Sequence, residues 1–226
     1  MTPSQLRREM KKVKPLRTMR EFYSAYDPDA PQKFWLPLVT VHGRFQPPLH
    51  LNHFYTYLAH AFRIAKKVRI LITNPTLDEQ RREEALHRHT RENNPFTYDE
   101  RVKIFRAVFT RLGIPPSRYE FKPFDITHKN SWNKTLKKSV PNFLNTYSAW
   151  SDAKLKRFQE KGFRVIHANI PKICNVSGEQ IRKILFSSLS LKQKKQKLLA
   201  AGYLKEALPA LFKIYGKREE IVCPIF

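Results

Sequence analysis

Cysteine is nearly absent: Cys174 and Cys223 are the only two in 226 residues. They form neither a disulfide framework nor paired metal-ligand spacing, which argues against a stapled secreted scaffold and for a reducing compartment. No apolar run approaches the ~20 residues that span a bilayer, and no apolar segment follows the basic N-terminus as in a secretory signal. The expectation is a cytoplasmic protein with no membrane segment. Acidic residues are also scarce, 19 against 43 Lys and Arg, so the formal net charge is +24. Such a surface attracts nucleotides, nucleic acids and anionic membranes alike. Helix-turn-helix, zinc-finger and RNP-like signatures are missing, as are internal repeats. The basic patches are dispersed, at LRREMKKVKPLRTMR (6 to 20), NKTLKKS (133 to 139) and LKQKKQK (191 to 197). Solvated basic faces are therefore favoured over a dedicated nucleic-acid role.

Against these absences stand 41% hydrophobic and 12% aromatic residues, enough for one substantial buried core. Residues 1–35 read as a basic arm and linker, 36–187 as the main domain, and 188–226 as a helical C-terminal extension packed on it, with Pro209 breaking the last segment. Short apolar runs at LVTV (38 to 41), VRILIT (68 to 73), YEFKPF (119 to 124), NFLNTY (142 to 147) and FRVIHA (163 to 168) predict strands. Helical spacing lies between them at 53–65, 97–112 and 152–160, and the charged stretch after Thr73 reads as a surface excursion. Alternation of this kind predicts βαβ units: an α/β protein with a parallel sheet and helices on both faces.

In such sheets ligands bind beyond the carboxyl ends of strands, where helix N-termini present free N–H groups. GRFQPPLHLNH (43 to 53) lies there, directly after strand one. Gly43 permits close backbone approach, and His50 and His53 fall on one face at the start of the next helix. Two imidazoles so placed can donate to phosphate oxygens and stabilise charge building up on phosphorus. The pair alone would equally suit exposed or capping histidines, and no flanking Cys/His cluster supports a metal site. After strand five, NVSGEQIRKIL (175 to 185) offers Ser177 as an N-cap with Gln180 reaching back, donors beside Gly178, and Arg182 one turn in. A third stretch, NNPFTYDERVKIF (93 to 105), carries a Thr97/Glu100 capping box, with Asn93 or Asn94 able to read a base edge or an amide.

The strand, GRFQP, histidine pair and later SGxxIR together resemble the HxGH nucleotidylyltransferase superfamily, whose members share a Rossmann-like fold. With NPFTxxER (94 to 101), the chain looks most like the archaeal-type nicotinamide mononucleotide (NMN) adenylyltransferases and their bacterial and phage relatives. The likeness runs from about Leu38 to Leu185. It implies transfer of AMP from ATP to NMN, giving NAD and pyrophosphate, with Mg²⁺ accompanying ATP. By position, His50, His53 and Arg182 are the implied catalytic residues. Gly43, Arg44, Phe45, Gln46, Ser177, Gly178, Asn94, Phe96 and Arg101 are the implied nucleotide-binding residues.

Three features depart from the family pattern. Pro48 and Leu49 lengthen the turn before the first histidine, and Asn52 stands where the family has glycine, a residue able to take left-handed backbone. Glu179 replaces the threonine of SGT and adds negative charge. These changes bear chiefly on the acceptor. The alternatives are a cytidylyltransferase acting on a phosphorylated alcohol or a phosphonate, and a nucleic-acid binder built on an inactive transferase scaffold. The oligomeric state is left open by the sequence.

Overall fold

The protein is described from a computed structural model, which covers residues 36–73, 76, 90, 92–128, 132–146 and 149–222. The basic arm and most of the excursion after Thr73 lie outside these residues. Five parallel strands form the sheet: β1 (Leu36–Gly43), β2 (Ala65–Thr73), β3 (Tyr119–Phe124), β4 (Asn142–Asn145) and β5 (Val165–Ala168), in the order β3-β2-β1-β4-β5. The order of strand addition reverses between β1 and β4, the Rossmann-like switch point where such sheets bind ligands. β1 and β2 begin earlier than their apolar cores suggested, and β4 and β5 are shorter.

Alternation along the strands builds two cores, as the expectation of helices on both faces required. Val39 and Val41 of β1 and Val68, Ile70 and Ile72 of β2 point to one side. There they meet helix α1 (residues 51–64), helix α2 (Tyr98–Arg111) and the C-terminal helices α5 (Gly178–Leu185), α6 (Leu191–Ala200) and α7 (Leu208–Val222). Leu71 and Leu144 point the other way, against Trp132 of the short helix α3 (Trp132–Thr135) and Phe158 of α4 (Ala149–Glu160). Among the described residues no helix is long and apolar enough to cross a membrane.

Helix α1 is not uniform. It opens with Leu51–His53, widens into a π-helical turn at Phe54–Leu58 and closes with Ala59–Ile64. The Thr56 hydroxyl donates to the Asn52 carbonyl at 2.6 Å, supplying a partner to a group at the widened turn. The turn also aims Tyr57 into the sheet. β1 runs beside β2 from Leu36 to Gly43 but pairs with β4 only at Thr40 and Asn142. Above that point the Tyr57 hydroxyl stands between the strands. It accepts from the His42 amide at 3.0 Å and lies 2.9 Å from the Phe143 carbonyl oxygen. Tyr57→Phe removes that partner from a buried amide, so a loss of about 1–3 kcal/mol is expected, read as a lower urea midpoint.

The last forty residues differ from expectation in one respect: Pro209 is the second residue of α7, where a missing N–H costs nothing, so it starts the helix instead of breaking it. Their contribution to the core is large. Leu198, Tyr203, Leu204, Leu208 and Leu211 all belong to the main cluster. Of the predicted basic patch at 191–197, Lys194 is buried and donates to the Tyr215 hydroxyl at 3.0 Å, while its neighbours face solvent.

Candidate active site

The turn that leaves β1 is held open by its own backbone. Phe45 and Leu49 have φ of 50° and 65°, left-handed values that ordinary side chains disfavour, and the Gln46–Pro47 bond is cis. The left-handed positions therefore fall at Phe45 and Leu49, not at Asn52, which sits in the first turn of α1. Gly43 serves close approach: a Cβ there would lie 2.9 Å from the Phe45 ring. That ring is turned inward, meeting His53 and Phe105 edge-on at 5.1 Å each. Phe45 was expected to line the cleft; its ring is buried because Gly43 leaves room beneath it.

His50 caps α1, its Nδ1 accepting the His53 amide at 3.3 Å. This fixes the tautomer, leaving the His50 proton on Nε2. The two imidazoles stack with centroids 3.5 Å apart and planes at 21°. Burial pushes both down. His53 falls to about 3, and His50 lies well below the usual histidine value, through burial first, then the charges of His53 and Lys172. Near neutrality both rings are uncharged N–H donors.

The two motifs meet directly. Arg182 donates to the Gln46 carbonyl at 2.7 Å and to the Asn93 side-chain oxygen at 2.8 Å. A Cβ on Gly178 would lie 2.8 Å from the Gln46 carbonyl oxygen, so glycine is what lets the first turn of α5 reach GRFQP. Ser177 caps α5 by accepting the Gln180 amide at 3.1 Å; only this half of the expected box forms. Glu179 pairs with Lys183 at 2.9 Å on the exposed face, which moderates the charge it brings.

The NNPF stretch joins the same network. Gln46 donates to the Phe96 carbonyl at 2.7 Å and accepts the Phe96 amide at 3.1 Å, a two-bond clamp. Arg44 donates to Asn94 at 3.3 Å. Arg101, fully buried in α2, donates to the Arg44 carbonyl at 2.6 Å and to the Thr97 carbonyl at 3.2 Å. The Thr97/Glu100 capping box forms as expected. All twelve candidate residues therefore belong to one connected region. Within it, Phe45, Phe96 and Arg101 are buried supports, while His50, His53, Ser177 and Arg182 carry the donors suited to phosphate.

Two sets of contacts at the site were not legible in the sequence. The first is the C-terminal extension: Leu51 donates to the Gly202 carbonyl at 2.9 Å and Leu204 to that of Leu49 at 3.2 Å, making His50 and Tyr203 an antiparallel bridge. The second is Asn52. It accepts the Ile173 amide at 3.0 Å and donates to the Cys174 carbonyl at 2.9 Å. Neither carries a local signal, because each partner lies more than a hundred residues away in the chain.

No family model matches the chain. Among curated proteins, the phosphonoformate cytidylyltransferase of Streptomyces viridochromogenes is 35% identical over 149 residues, 63% of this chain and 77% of that protein. Among solved structures, a bifunctional NMN adenylyltransferase/ADP ribose pyrophosphatase from Francisella tularensis aligns over 85% of this chain with a TM-score of 0.46 and 17% identity. Its complex with AMP and a manganese ion aligns over 83%, with a TM-score of 0.45. The chain spans 58% and 56% of those two solved chains.

Proposed function

The chain belongs to the HxGH nucleotidylyltransferase superfamily, and on that premise we propose that it transfers CMP from CTP to a small phosphonate or phosphate acceptor, releasing pyrophosphate. The observation that carries the choice of nucleotide is the 35% identity to a cytidylyltransferase that acts on phosphonoformate. It moves the weight from ATP and NMN, which the motifs first suggested, to the alternative of CTP and a phosphonate.

The reaction asks little covalent work of the protein. An oxygen of the acceptor attacks the α-phosphorus in line, the bond from that phosphorus to the bridging oxygen breaks, and pyrophosphate leaves. Catalysis is then positioning plus stabilisation of charge on the phosphoryl oxygens. His50, with its proton fixed on Nε2, and His53 beside it are the proposed donors to the α-phosphate. The Ser177 hydroxyl and the first turn of α5 face the departing phosphates. Arg182 has spent two of its five N–H groups on Gln46 and Asn93, so it can hold the loops and still donate to phosphate. Arg44, Gln46, Asn94, Phe96 and Arg101 hold the cleft's shape. Among the described residues no group of three His, Cys, Asp or Glu side chains could hold a metal ion. Magnesium enters with the substrate, complexed to the triphosphate.

The test is pyrophosphate release with CTP and with ATP, each against phosphonates, phosphate monoesters and NMN. CTP with a phosphonate is expected to turn over fastest. NAD formation from ATP and NMN, with no CTP-dependent release, would overturn the choice of nucleotide. His53→Ala removes one transition-state donor and should lower turnover by roughly 10²- to 10³-fold with the thermal melt retained. Unaltered turnover would remove the histidine pair from the mechanism.

A further inference from the structure

Asn52 occupies the position where the family motif has glycine, and the structure gives its side chain a specific task. It is buried, and both ends of its amide are used on one short segment, accepting from Ile173 and donating to Cys174. This segment belongs to the loop that joins β5 to α5. Its preceding residue, Lys172, is exposed, and its charge acts on His50. The amide of Asn52 thus ties a lysine-bearing loop to the turn of α1 that begins beside one histidine and ends at the other.

The electrostatics of the site give this lysine a purpose. A nucleoside triphosphate brings several negative charges, whereas His50 and His53 are neutral near pH 7 and Arg182 is partly committed to Gln46 and Asn93. Glycine at position 52 could not make the clamp, since glycine has no side chain.

We infer that Lys172 is a further phosphate-binding residue of this site, directed at the triphosphate of a nucleoside triphosphate, and that Asn52 is its positioning residue. The inference rests on the nucleotidyl-transfer reading but is tested separately from it, with inorganic pyrophosphate as the probe.

Isothermal titration of the full chain with pyrophosphate is compared across Lys172→Ala, Lys172→Arg, Asn52→Gly and the double variant Asn52→Gly/Lys172→Ala. Lys195→Ala, which removes an exposed charge on α6, is the control. Loss of one charge-assisted contact should weaken binding roughly 10- to 100-fold in Lys172→Ala. Lys172→Arg should recover most of it, and Lys195→Ala should match the parent. Asn52→Gly should weaken binding by acting through Lys172, so the double variant should bind no more weakly than Lys172→Ala alone. Lys172 is exposed, and its replacement leaves the core intact, so this arm reads out even if Asn52→Gly melts early.

Pyrophosphate affinity unchanged in Lys172→Ala, or absent in the parent protein, overturns the inference. Losses that simply add in the double variant overturn the positioning role of Asn52. A protein that binds pyrophosphate through Lys172 yet transfers no nucleotide to any acceptor upholds the inference and overturns the proposed function.

Discussion

A chain ending at Ser187, which lacks α6 and α7, is expected not to fold. The removed segment supplies Leu198, Tyr203, Leu204, Leu208 and Leu211 to the main core, each at most 2% exposed. At about 1.5–3 kcal/mol for each buried large apolar side chain, their loss withdraws on the order of 10 kcal/mol. That is comparable with the whole stability of a typical domain, roughly 5–15 kcal/mol. Truncation also strips the backbone partners from Leu49 and Leu51, on either side of His50. The expected result is loss of the cooperative melt in circular dichroism, with collapse of amide dispersion in NMR. A truncated chain that melts cooperatively and keeps the parent's turnover would show that the extension is an appendage.

Acid should destabilise the fold early, and histidine should be the cause. His42, His50, His53 and His60 all sit below the usual value of 6.5, His53 and His60 at about 3. Burial is the leading cause in each case. His42 stacks on Phe158 at 4.6 Å, and among the described residues neither of its ring nitrogens nor the Nε2 of His60 has a hydrogen-bond partner. His53 is half-buried overall, but its Nδ1 is sealed from solvent and unpartnered. Below pH 6.5 the unfolded chain takes up these protons and the folded chain does not. The stabilisation is therefore complete above about 6.5 and is lost as pH falls toward the folded values. Each group contributes up to about 1.4 kcal/mol per pH unit in that window, so the four together approach 5 kcal/mol per unit. Urea midpoints at pH 7.5 and 5.5 should differ sharply, and His60→Leu should flatten the dependence by about a quarter. Equal midpoints at the two pH values would show that these rings titrate normally.

The fold was legible because its signals are local. VRILIT and YEFKPF announce buried strands by composition, and the intervening helical spacing announces the crossovers, so the parallel sheet follows. The histidine pair and SGxxIR were legible as motifs for the same reason. What stayed hidden was long-range. Arg101 was implied by the resemblance as a nucleotide-binding residue, yet it is fully buried because backbone carbonyls of three separate segments converge on it. Phe45 was implied as a residue lining the nucleotide cleft, yet a left-handed turn folds its ring inward. Asn52 reads as a tolerated substitution for glycine, and only the return of residues 173 and 174 reveals that its side chain is used.

The pairing of Leu49 and Leu51 with Gly202 and Leu204 also sets an order of events during synthesis. The histidine loop leaves the ribosome about 150 residues before the segment that anchors it, an interval of roughly 8–30 s at ordinary elongation rates. Through that interval the nascent chain carries His50 and His53 without the backbone anchor of their loop. Competence to bind nucleotide should therefore be acquired only after residues 202–204 have emerged and docked on the loop.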